Sequence, residues 1–226
     1  MSYDTGKINC PVAMIIFNRY DNAKKVFEQI KKVQPPKLYV IADGPRTNRV
    51  GEEKLCQETR NIINEVDWPC QVITHFSDVN MGCQQRIATG LTWLFEREEY
   101  SIILEDDCVP SKSFFFYCEE MLEKYKNDER IMVVSGDNQS FASDSISESY
   151  YFTRHVHIWG WATWARAWEH YDLKVSNFPK VDTQKMLKAF CTKKSYLYYW
   201  TALFNAYYKG RVASWDGAWV FAVLSQ

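Results

Sequence analysis

The sequence is short of several things, and each shortage removes a class of function. It has no basic surplus: 27 Lys and Arg stand against 28 Asp and Glu, with a pI near 6.4. That argues against a nucleic-acid partner, which needs a cationic footprint. Basic residues are scattered, apart from doublets such as Lys24-Lys25 and Lys193-Lys194. No apolar run approaches the ~20 residues that cross a bilayer, so no integral membrane segment is expected. The opening residues, MSYDTGKINC, lack the charged-then-apolar pattern of a secretory signal. A cytoplasmic location follows by default, with peripheral attachment at a membrane left open. The seven Cys never take the CxxC spacing of a zinc site, and an odd set without paired spacing suits reduced thiols better than a disulfide framework. No Ser–His or Cys–His pairing is legible. What is plentiful is aromatic: 9 Trp, 14 Tyr and 13 Phe, many of them after residue 150. Such residues suit either a thick core or a sugar-binding groove.

The first 136 residues alternate strand-like and helix-like text. PVAMIIF (11–17), LYVIAD (38–43), QVITHF (71–76), SIILEDD (101–107) and IMVVSG (131–136) read as strands. Between them, helices are predicted after Asp21 as N-cap, over 52–66, over 80–95, and after Ser113 as cap, where Phe114, Tyr117, Cys118, Met121, Leu122 and Tyr125 recur at helical steps. This pattern predicts an α/β fold with a mostly parallel sheet, whose ligands bind at the carboxyl ends of the strands. DNQSFASDSISES (137–149) reads as a polar loop, and Tyr150 opens an aromatic-rich part with a strand, a turn around Gly160, and helical text at 182–191 and 195–209. The division expected is a ligand-binding part, 1–149, and a second part of the same domain, 150–226. The apolar, uncapped ending SWDGAWVFAVLSQ predicts that the natural protein continues.

Three consecutive carboxylates, Glu105, Asp106 and Asp107, close an otherwise apolar strand. Crowded at a dry strand end they repel one another, and a hard divalent cation relieves that repulsion. An acidic loop at a solvated strand end is the plainer reading. Arg19 follows the first strand, where a guanidinium can clamp a phosphate. Asp43 ends the second in IADGP, where it can accept from a base or ribose or simply start a turn. His155 and His157 alternate along RHVHIWGW but read better as packed or ligand-facing residues than as metal ligands. Trp159 and Trp161 flank Gly160 and suit either a sugar-stacking wall or a core.

Four segments carry a more specific likeness: IIFNRYDNAKKVFEQI (15–30), IADG (41–44), IILEDDCVPSKSFFFYCEEML (102–122) and SWDGAW (214–219), with WGWATW (159–164) as a fifth. They resemble GT-A-fold nucleotide-sugar glycosyltransferases, in particular the inverting N-acetylglucosaminyltransferase I group and bacterial family-2-like sugar transferases. The resemblance implies Arg19 near the donor diphosphate, Asp43 near uracil, Glu105 and Asp106 near ribose and donor sugar, and Asp107 on Mn²⁺ or Mg²⁺. It places Asp216 as catalytic base and Arg86 facing the donor; Trp159, Gly160 and Trp161 stay candidates, on residue type, for an acceptor or sugar wall. Gly217 departs from the pattern, since relatives often carry a carboxylate or an aromatic there. The implied partners are a UDP-sugar and a glycan or lipid-linked glycan acceptor. Two other readings stand beside it: a sugar-phosphate nucleotidyltransferase, disfavoured by the glycine-free FNRYDN (17–22), and a carbohydrate-binding protein without turnover.

Overall fold

The computed structural model describes residues 6–137, 148–190 and 192–226. Strand β1 (Val12–Ile16) is buried along its whole length. Its neighbours β2 (Lys37–Ala42) and β4 (Tyr100–Glu105) are nearly so. Such strands read as apolar runs because both faces of the sheet are covered. Val12, Met14 and Ile16 point into one cluster, with α1 (Tyr20–Lys31) and α4 (Lys112–Lys124). Ala13 and Ile15 point into the opposite one, with α3 (Cys83–Phe95). With β3 (Gln71–Phe76), β5 (Val134–Ser135) and β6 (Trp161–Trp164), the sheet has six strands in the order β3-β2-β1-β4-β6-β5. The pairs β1–β2, β1–β4 and β2–β3 are parallel, whereas β6 runs antiparallel to both β4 and β5. The result is a six-stranded, mostly parallel mixed sheet flanked by helices, compatible with a Rossmann-like arrangement.

Register places the site. Ile16 pairs with Ala42 and Ala42 with Phe76, while Ile15 pairs with Glu105. The residues that leave β1, β2 and β4 therefore emerge side by side on one edge of the sheet.

Several local expectations need correcting. Helix α1 starts one residue before Asp21, with Arg19 at the cap position and no side-chain cap bond. Asp21 instead lies in the first turn, where a negative charge suits the helix dipole. Helix α4 begins before Ser113, whose hydroxyl bonds that of Ser111 at 2.9 Å. The 52–66 helix is α2 (Glu52–Arg60) followed by a 3₁₀ turn, Asn61–Glu65. The fifth strand shrinks to Val134–Ser135; just upstream, side chains take the carbonyls, Arg166 that of Ile131 and the Thr163 hydroxyl that of Met132. No strand forms over 150–158; the strand of this part is β6, just after Gly160, whose φ of +74° suits a residue without a Cβ. Most of the expected loop, 138–147, lies outside the described residues.

The two expected parts share the sheet, since β6 pairs with β4. After β6 the chain forms α5 (Ala165–Trp168), a 3₁₀ turn at Phe178–Lys180, α6 (Thr183–Lys188), α7 (Lys194–Tyr208) and α8 (Asp216–Leu224). Much of the tryptophan here is core. Trp161 stacks on Trp215 at 5.8 Å and lies 5.7 Å from Trp219, which in turn lies 5.0 Å from Trp168. This cluster clamps α8 against the β1–β4 sheet.

Candidate active site

The exit of β4 carries the acidic run. Glu105 is its last residue, and among the described residues nothing donates a hydrogen bond to its carboxylate. Burial pushes that carboxyl up to about 7, helped by Asp107, Asp106 and Asp216 and opposed by Arg19. Asp106 is held from the exit of β1: the Arg19 guanidinium grips it in a fork, Nη2 to Oδ1 and Nε to Oδ2 at 3.1 Å. Burial still outweighs this pairing and raises Asp106 above the usual carboxylate range. Arg19 Nη2 also reaches Asp107 Oδ2 at 3.3 Å. Asp107 is the outermost of the three, with 46% of its side chain exposed.

Asp216 joins this group from far along the chain. It is the first residue of α8, and the cap position belongs to Trp215, so Asp216 is not a capping residue. Its Oδ1 accepts from the Ser214 hydroxyl and from the Tyr207 hydroxyl, the latter at 3.2 Å. The Tyr207 oxygen in turn accepts from Gly217 N at 3.0 Å. A Cβ on Gly217 would stand 2.4 Å from the Tyr207 ring, which accounts for glycine where the resemblance leads one to expect a larger residue.

Cys83 opens α3 on the same side of the sheet, near enough for these acids to act on it. Its thiol is pushed up to about 11 by desolvation, then by Glu105, Asp216 and Asp43, with Arg19 opposing. One thiol thus feels carboxylates from the exits of β2 and β4 and from α8. The neighbouring Gln84 ties α3 to the Asp216 loop, donating to the carbonyls of Val212 (2.9 Å) and Ser214 (2.8 Å). Cys83, Gln84 and Tyr207 lie in no recognisable spacing in the sequence, and Ser214 enters it only as the first residue of SWDGAW.

Asp43 lies on the same edge but in another state. Oδ1 accepts from Gly44 N (2.9 Å) and Met81 N (2.8 Å), and Oδ2 from Gly82 N (2.9 Å) and the Asn80 amide (3.1 Å). A carboxylate has about four lone-pair positions, and here the chain fills them. Asp43 fastens the 79–82 loop to the end of β2, and Gly44 lets the two backbones meet: a Cβ there would lie 2.5 Å from the Val79 carbonyl carbon. Behind it, the buried Glu52 joins Asn18 (2.9 Å) to Arg46, whose backbone N donates at 2.7 Å. The Arg46 guanidinium holds the Glu52 carboxyl down to about 2.

Two expected residues face elsewhere. Arg86 falls one turn into α3 on its buried side, where Nη2 donates to the His75 carbonyl (2.7 Å) and Nδ1 (2.8 Å), and Nε has no partner. It anchors α3 to β3 instead of facing a donor. Trp161 is 1% exposed within the tryptophan cluster, so its ring offers no wall. Trp159 remains available at 61% exposure, and Gly160 packs on Leu104 and Phe114 beside the β4 exit. His155 and His157 lie apart, His155 packed 4.7 Å from Phe190 and His157 3.9 Å from Asp137, lining a separate cavity of about 1230 Å³ beside α4 and α6.

Among the described residues, no group of three or more His, Cys, Asp and Glu is arranged to hold a metal ion. The carboxyl oxygens at the β4 exit are hard donors, and the one cation that pairs with them, Arg19, reaches Asp106 and Asp107 and leaves Glu105 without a hydrogen bond among the described residues. Compared with known proteins, the chain matches no family model and no curated sequence.

Proposed function

We propose that the chain is a metal-dependent glycosyltransferase that moves a sugar from a nucleoside-diphosphate sugar, of the uridine class, to a glycan hydroxyl with inversion. One observation carries this reading: Asp216, at the start of α8, is drawn to the β4-exit acids, where it bears on Glu105 and Cys83, by Gln84 of α3, which bonds the Val212 and Ser214 carbonyls just before it. A lone acidic loop needs no such visitor. The strand order β3-β2-β1-β4-β6-β5 with an antiparallel β6 supports the GT-A form of the fold.

In this reading Arg19 leaves Asp106 to meet the donor diphosphate, exchanging one forked anion for another. Glu105 and Asp106 are then positioned for ribose and sugar hydroxyls, and Asp107 holds the metal. Bound Mn²⁺ or Mg²⁺ supplies stabilisation of the charge that develops on the departing nucleoside diphosphate. Asp216 takes the proton of the acceptor hydroxyl. That oxygen bonds to the anomeric carbon, while the bond from carbon to the diphosphate oxygen breaks and its electron pair leaves with the nucleotide. Asp216 has one oxygen engaged by Ser214 and Tyr207, and neither bond uses Oδ2. Asp43 contributes by holding the 79–82 loop, and Trp159 is placed for an acceptor sugar.

The test is a thermal-shift panel of UDP, GDP, CDP and dTDP, each with and without Mn²⁺. A ligand at ~100 times its dissociation constant adds about 2.7 kcal/mol of stability. The expected result is a Mn²⁺-dependent shift with UDP that Asp107→Ala removes. No shift with any nucleotide overturns the donor assignment, and an unchanged shift in Asp107→Ala moves the metal elsewhere.

A further inference from the structure

Between Asp182 and Asp216 the sequence has no acidic residue but six cations: Lys185, Lys188, Lys193, Lys194, Lys209 and Arg211. All 28 Asp and Glu of the chain lie outside that stretch, which sets it apart from a protein of net charge −1. Each of the six is exposed, and none joins an ion pair among the described residues. Their charge is left facing solvent.

Helix α7 runs through the middle of this stretch, with a cation at either end. Phe204 and Tyr207 are buried on its inner side. Ser195, Tyr198, Tyr199 and Ala202 are exposed, at spacings of three and four residues that keep them on the outer side. Tyr198 is 79% exposed and Tyr199 57%, and Tyr208 follows at 47%. Single exposed aromatics are ordinary, but neighbouring tyrosines on a charge-free helix face, bracketed by Lys193, Lys194, Lys209 and Arg211, form a pattern. Tyrosine has an apolar body and a polar tip suited to the lipid headgroup level, and flanking lysines reach outward to phosphates. Anionic lipid attracts cations near its surface and repels acids, which this stretch lacks.

We propose that α7 and its flanking cations form a docking surface for an anionic lipid bilayer, with Tyr198 and Tyr199 at the headgroup level. Helix α7 is too short and too mixed to cross a membrane, so the contact is interfacial. The surface is independent of the transfer chemistry and stands whether or not that reading holds.

The experiment is sedimentation of the 226-residue chain with phosphatidylcholine vesicles and with vesicles containing phosphatidylglycerol, at low and high salt. Binding is expected only to the anionic vesicles and weakens with salt. Lys193→Gln and Lys194→Gln each lower the partition coefficient about fivefold. Tyr198→Ser with Tyr199→Ser removes the part of the binding that survives high salt. All four positions are exposed, and circular dichroism checks that the variants stay folded. Equal binding to both vesicle types, no binding to either, or wild-type binding by the variants overturns the proposal. Tighter retention on single-stranded RNA than on vesicles, lost in the same lysine variants, assigns the surface to nucleic acid and overturns it too.

Discussion

The exits of β2 and β4 lie on one edge of one sheet, and both carry buried carboxylates, yet they are built in opposite ways. At the β2 exit every acid is answered. Asp43 takes one donor from Gly44 and three from the 79–82 loop, and Glu52 is gripped by Arg46 and Asn18. At the β4 exit Glu105 has no donor among the described residues, and its neighbours share one guanidinium. The titration directions follow: Glu52 is held down to about 2, while Glu105 is pushed up to about 7. A carboxylate whose bonds are complete is a fastener. A group of them left short is a place where charge from outside is welcome.

The comparison breaks most visibly at Asp43. Asp43→Ala leaves the N–H groups of Gly44, Met81 and Gly82 and the Asn80 amide without the buried carboxylate that accepts from them, at an expected cost of about 3 kcal/mol. Asp107→Asn, at the half-exposed end of the β4 run, is expected to change the metal-free protein by less than about 0.5 kcal/mol. Urea unfolding of both variants without added metal measures the contrast. Equal losses would mean that the two exits do the same structural work.

Next in size is Asp216→Asn, which keeps the shape and removes the base. Turnover is expected to fall at least ~100-fold, the low end for general base catalysis. Nucleotide binding with Mn²⁺ should stay intact. Calorimetric titration with UDP beside a donor-consumption assay separates the two, and retained turnover would leave Asp216 as a packing residue.

The contrast between the two exits was only half legible in the sequence. The strands announced themselves because doubly covered strands must be apolar throughout, and the acids stood out because they ended such a run. Which acid was a fastener did not show, since Asp43 before Gly-Pro has the same text whether it binds a ligand or starts a turn. The answer lies in donors from residues 80–82, nearly forty positions away. Where Arg86 points is likewise hidden in the text, since it depends on which face of α3 is buried, and there it meets His75 of β3. Trp161 next to Gly160 reads equally as wall or core until α8 brings Trp215 and Trp219 against it. Tyr207 looked like any helical aromatic, and its tie to Asp216 exists only once α7 and α8 are packed.

That tie sharpens the comparison at smaller scale. Tyr207→Phe removes one donor from Asp216 and one acceptor from Gly217, at about 1 kcal/mol of stability for the lost bonds. If the hydroxyl orients the base, kcat falls by up to about tenfold while KM and Mn²⁺-dependent UDP affinity hold. Gly217→Ala, which drives a Cβ into the Tyr207 ring, should give the same split. A fall in stability with unchanged kcat would leave Tyr207 as a strut between two helices.

The smallest effect concerns Glu52, and its pH dependence distinguishes a fastener from an idle surface pair. Its folded pKa, about 2, lies below the ordinary 4.5, so the unfolded state binds the proton more readily. The stability it contributes is therefore present above pH 4.5 and is lost as the pH falls toward 2. Glu52→Gln should lower Tm at pH 7, and the gap from the parent should narrow steadily on acidification through that window. Because Glu52 also holds Asn18 beside Arg19, UDP affinity with Mn²⁺ should weaken slightly in the same variant at neutral pH. A Tm gap that ignores pH would mean that packing of the side chain, and not its charge, joins β1 to the Arg46 turn.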